Sequence, residues 1–104
     1  MQDIRIERWA HTLVHYCLYA QRGEMVAIRA TPLAAPLMEA VYRELVLVGA
    51  YPLPLIELES FEEILLKEGN NKQLSMPHPV LHMMAEHIDA QLSIGSRSNT
   101  KASP

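Results

Sequence analysis

The 104-residue chain has little of several things, and each scarcity excludes a class of protein. It holds one cysteine, Cys17, so no internal disulfide framework is available, and a reducing compartment is expected. No apolar run approaches the roughly 18 residues of a membrane span, and the opening MQDIRIER lacks the apolar stretch of a signal peptide. A soluble cytoplasmic domain without membrane contact is the expectation. The nine Lys and Arg residues are scattered and rarely interleaved with aromatics, which argues against a nucleic-acid partner. With four glycines, the chain has no phosphate-cradling loop and no dinucleotide fingerprint. It also lacks the Gly-x-Ser-x-Gly turn of a serine nucleophile.

What is present reads as one α/β domain. Met25 to Ala30 is a short apolar strand ending at Thr31-Pro32. Leu33 to Val48 is rich in Leu, Ala, Glu and Arg and free of glycine, as a helix requires. Gly49 stands where a helix C-cap wants positive φ, and Pro52 where the helix cannot resume. Leu53, Leu55, Ile56 and Leu58 supply the next strand, completing a βαβ unit with parallel strands.

Around this unit the chain continues in kind. Asp3 to Ala20 is predicted as a helix whose Ile6, Trp9, Ala10, Leu13, Tyr16, Cys17 and Ala20 form one apolar stripe. Asp3 is its N-cap, and Gly23 the left-handed residue beyond it. Ser60 caps a helix from Phe61 to Glu68, and Lys72 to Met76 forms a short turn. Val80 to His87 is a further helix and Ala90 to Gly95 a third strand. The order is α-β-α-β-α-α-β, giving a three-layer α/β/α fold with a small, mostly parallel sheet of about three strands in the order 2-1-3. Residues 1–95 form the domain, and the polar stretch 96–104 is a C-terminal tail.

In open parallel sheets ligands gather beyond the carboxyl ends of the strands, where the strand order reverses. That places Arg29, Thr31, Ser96, Arg97 and Asn99 around one crevice, with Thr31 at a helix N-terminus suited to an anion. Two histidine pairs have metal-ligand spacing. His11 and His15 stand at i, i+4, but Thr12 occupies the position where a zinc protease carries its general base. Both lie opposite the Trp9–Leu13–Tyr16 stripe, so a solvated face is expected. His78 and His82 share the spacing, with His78 between two prolines and outside the helix. Neither pair is assigned a metal. Cys17, within the apolar stripe, reads as an inert buried thiol, and Glu44 as a side chain that reaches out of an apolar arc to water.

Several stretches carry a family resemblance. IERWAHTLVHYCL, QRGEMVAIRATPLAAPLMEAVYRELVLVGAYPLPLIEL, FEEILLKEGNNKQL and IGSRSNTKA together resemble, in order, the opening of the thermophilic-type metallo-aminopeptidases of the aminopeptidase T (leucyl aminopeptidase) family. The resemblance implies an N-terminal α/β domain preceding a larger C-terminal catalytic domain of the same protein. It implies a two-metal site in that domain, loaded with divalent cobalt, zinc or magnesium, and a homodimer that removes N-terminal amino acids from peptide substrates. None of the family's metal ligands maps onto this sequence, so no residue here is assigned a catalytic, cofactor or metal-binding role. The chain is expected to be an N-terminal portion of such an enzyme, inactive alone. The alternative is a free-standing α/β module that binds a small anionic ligand in the strand-end crevice.

Overall fold

The computed structural model describes residues 3–95. Its elements follow from local chemistry with a few instructive departures. Helix α1 (Ile4–Thr12) starts at Asp3, whose side chain accepts the Arg5 N–H at 2.8 Å. The expected single helix to Ala20 changes character at Leu13, where a π-helical turn covers Leu13–Cys17. There the Leu18 N–H reaches the Leu13 carbonyl at 2.8 Å and the Ala20 N–H the Val14 carbonyl at 3.0 Å. Tyr19, at φ 57°, then ends the helical path.

Strand β1 (Met25–Ala30) leads into a 3₁₀ turn (Pro32–Ala34) and helix α2 (Ala35–Val48). Gly49 adopts φ 90°, the Ala50 N–H bonds back to the Leu45 carbonyl, and the Gly49 N–H to Val46. This paired closure meets carbonyls that a helix end otherwise leaves open. Strand β2 (Tyr51–Ile56) begins two residues earlier than expected and contains Pro52 and Pro54. Prolines fit because the sheet order β2-β1-β3 leaves β2 at an edge, where one side of the strand needs no ladder donors. Both pairings are parallel, with Ile28 opposite Pro54 on one side and Leu92 of β3 (Ala90–Ile94) on the other. The expected 2-1-3 order and α/β class therefore hold. Asp89 fixes the approach to β3 twice over: its carboxylate accepts the Met25 N–H and its own N–H donates to the Met25 carbonyl, both at 2.8 Å.

The core lies on one side of this sheet. Val26, Ile28 and Ala30 of β1 meet Ala10 and Val14 from the first helical segment and Leu37, Met38, Val41 and Leu45 from α2. The stripe expected on the first helix is rotated: Ala10 and Val14 face inward, whereas Trp9 and Tyr16 are exposed. Cys17 is exposed as well, not the buried thiol of the sequence reading. The face turned to the sheet is set by small residues that allow close approach, while the bulky aromatics sit at its margin.

Helices α3 (Glu59–Glu68), α4 (Asn71–Ser75) and α5 (Pro79–Ala85) follow β2, and none contains a buried residue. Leu58, rather than Ser60, is the N-cap of α3. Asn70 and Gln73 form a reciprocal capping box at α4. His78 caps α5, its Nδ1 accepting the Val80 N–H at 3.1 Å, so it stands outside the helix as expected.

Candidate functional site

The crevice at the carboxyl ends of the strands exists, but its chemistry differs from the expectation. Thr31, at the end of β1, shares a depression of about 500 Å³ with Glu59, Glu62, Glu63 and Leu66 of α3 and with Gly95 after β3. Thr31 occupies the N-cap of the turn that follows it, but its side chain makes no capping bond, and its Oγ1 is buried without a hydrogen bond among the described residues. Arg29 is not free to serve this space. Its Nε donates to Glu57 Oε2 at 3.1 Å, and its Nη2 contacts the same oxygen. Ser96, Arg97 and Asn99 lie outside the described residues. The sequence reading names none of these three glutamates as site residues. Their spacing of three and four residues was the available signal, because it puts them on one side of α3. Their charge suits a cation, not the anion expected at a helix N-terminus.

A second constellation forms between the helices on the core side of the sheet. Glu44, in the penultimate turn of α2, points at the first helical segment. Its Oε1 lies 3.3 Å from His11 Nδ1 and 3.1 Å from His15 Nε2. The two imidazoles stack at 4.1 Å between centroids with their planes tilted by 36°. Side-chain exposure is 54% for His11, 33% for His15 and 19% for Glu44. His11 is exposed, as expected of a solvated face, but His15 is part-buried and both rings meet Glu44, so the glutamate does not reach out to water. The correction has a simple origin. With Ala10 and Val14 as the buried positions, His11 and His15 fall about 100° further round the helix, beside the core rather than opposite it. Glu44 is then partnered by two ring nitrogens, which removes the cost of placing a carboxylate near an apolar core. The other pair does not assemble: His78 is engaged as a cap, and both His78 and His82 are exposed.

Among the described residues, one group of three His, Cys, Asp or Glu side chains brings its donor atoms within 4.8 Å of one another, and it is His11, His15 and Glu44. No helix among those residues is long and apolar enough to cross a membrane. No curated protein matches the chain. The model of the thermophilic metalloprotease (M29) family matches residues 2–103, nearly the whole length, in agreement with the resemblance carried by the sequence stretches. The chain belongs to the thermophilic metalloprotease (M29) family.

Proposed function

We propose that this chain supplies the N-terminal α/β domain of a metal-dependent aminopeptidase, one that removes N-terminal residues, leucine among them, from peptides in the cytoplasm. The observation that carries the reading is the family match over residues 2–103. Membership implies a peptide hydrolase and a divalent metal. The described residues do not fit the catalytic metal centre. A two-metal site places its ions about 3.5–4 Å apart and needs carboxylates enough to hold both. The one donor group here offers a single carboxylate, and Glu44 lies nine residues into α2, roughly 13 Å along its axis from the strand ends. No hydrolytic step is therefore assigned to it, and the chemistry belongs to a C-terminal domain of the same protein.

In this reading the domain walls one side of the substrate cleft. The acidic depression beside Thr31 supports that role, since Glu59, Glu62 and Glu63 would attract the ammonium group at a peptide's N-terminus. The same three charges weigh against the alternative, a module for small anions. The exposed apolar side chains of α3, Phe61, Ile64, Leu65 and Leu66, supply a surface for the catalytic domain or for the second subunit of a homodimer.

The test is leucyl-p-nitroanilide hydrolysis with cobalt, zinc or magnesium, by the chain alone and by the chain joined to a family catalytic domain. Hydrolysis is expected only when the catalytic domain is present. Turnover by the chain alone, abolished by His11→Ala, would overturn the assignment. Calorimetric binding of a small anion, with no activity in either form, would favour the anion-binding module.

A further inference from the structure

We propose that His11, His15 and Glu44 constitute a divalent transition-metal site that clamps the first helical segment onto α2. Three observations lead there. The first is distance. A tetrahedral zinc site with bonds of about 2.0–2.2 Å separates neighbouring donors by roughly 3.3–3.5 Å. The separations from Glu44 Oε1 to His11 Nδ1 and His15 Nε2 are 3.3 and 3.1 Å, and all three donors fall within 4.8 Å. An ion can seat with adjustments of a few tenths of an ångström at the carboxylate and a rotation of the His11 ring.

The second is the donor set. Two imidazoles and a carboxylate suit zinc, cobalt and nickel, whereas magnesium and calcium prefer oxygen-rich surroundings. Three protein donors leave a fourth position for water, on the side where His11 is half exposed. Glu44, the least exposed of the three, reaches both rings from α2, so the ion would be held by one helix through the carboxylate and by the other through both rings.

The third is the backbone. His15 lies inside the π-helical turn Leu13–Cys17, and His11 in the α-helix before it. Single π turns recur at functional sites because they re-aim side chains that a regular helix would space differently. Here the turn accompanies a close approach of the two rings, with both ring nitrogens converging on one oxygen of a different helix. As hydrogen bonds alone, the two imidazoles share the two lone pairs of that single oxygen. A cation lets both nitrogens and the carboxylate act as donors at once.

Removing metal from the 104-residue chain with a chelator and titrating back zinc, cobalt or magnesium tests the site. One equivalent of zinc is expected to bind, and cobalt to give the visible absorption of a low-coordinate ion. Magnesium at the same concentration should do neither. At a hundredfold excess over Kd, zinc should raise Tm by on the order of 10 °C, because it binds the folded state alone. Glu44→Gln and His15→Ala should each weaken zinc at least tenfold, while His82→Ala leaves it unchanged. Glu44→Gln risks disturbing the helix packing, so His11→Asn, at the most exposed of the three positions, is the parallel variant, with a loss of about the same size expected. Equal zinc affinity in wild type, His11→Asn and His15→Ala would overturn the proposal, since the ion would then be bound elsewhere. So would the absence of any zinc-dependent rise in Tm, which would leave the group as a histidine–glutamate ion pair only. Neither result bears on whether the chain belongs to an aminopeptidase.

Discussion

The two sides of the sheet are built to different standards. On one side Val26, Ile28, Val41, Leu45, Ala10 and Val14 are fully buried, and strand, α1 and α2 close on one another. On the other side α3, α4 and α5 leave Phe61, Ile64, Leu66, Met76, Val80 and Met83 more than half exposed. Leu81 and Met84 of α5 approach Ala27 and Leu55 of the sheet across an open depression rather than a packed layer. Hydrophobic stabilisation scales with apolar area removed from water, so most of it must come from the first side. The second side has the composition of a covered layer and the exposure of a surface. The difference separates the part that specifies the fold from the part that offers apolar area to a neighbour.

Paired truncations break this comparison most directly. Ile28→Ala should cost about 2–5 kcal/mol, because it empties a fully enclosed site between β1 and α2. Leu66→Ala, on α3 at 65% exposure, should fall within about 0.5 kcal/mol of wild type. Urea unfolding of the two variants against wild type measures both. A loss at Leu66 comparable with that at Ile28 would mean that α3 is covered in solution, by a second subunit or by its own layer closing.

How much of this could be read from sequence divides along the same line. The βαβ unit was legible because its signals are local and agree: apolar runs at Met25 and Leu53, a glycine-free helix, and Gly49 at its end. The order 2-1-3 followed from parallel pairing around a central β1. The edge position of β2 was not used to extend the strand through Pro52 and Pro54, which is why its start was placed late. The first helix misled because large aromatics were given the core. Burial there follows Ala10 and Val14, since the approach of a neighbouring helix rewards small side chains that periodicity alone ranks low. That one rotation decided the fate of His11 and His15. Glu44, 29 residues beyond His15, has no sequence signal linking it to them. Such a cluster is a product of tertiary packing. At the strand ends, the position of the crevice was legible from topology, and Thr31 was found there, but its acidic wall came from a helix whose orientation the sequence did not state.

A smaller effect sharpens the contrast from the ordered side. Gly49 holds φ 90° at the end of α2, and a Cβ there would stand 3.0 Å from Arg22 Cγ. Gly49→Ala should therefore destabilise by about 1–2 kcal/mol, the cost of a left-handed residue with a side chain. The Arg22 side chain can swing away, so the steric contact adds little. Because Gly49 also accepts the Gly23 N–H at 2.9 Å, it ties the two turns that bring α2 and the first helical segment back to the sheet. The loss should appear in the global unfolding transition, with Tm lowered and the transition still cooperative.

A further effect lies on the loose side, and there the location of the loss matters more than its size. Asn70 Oδ1 accepts the Gln73 N–H at 2.8 Å, and Gln73 Oε1 accepts the Asn70 N–H at 2.9 Å. Asn70→Ala removes one half of that exchange and should weaken α4 by about 1 kcal/mol. A five-residue helix without a buried side chain has little else to hold it. If α4 opens independently of the core, the loss should raise amide exchange in residues 71–75 several-fold, with Tm and the exchange of β1 unchanged. A fall in Tm of several degrees would show instead that α3–α5 and the sheet unfold as one unit. The second layer would then contribute cooperatively despite its exposure, and the division between the two sides would be one of packing density and not of stability.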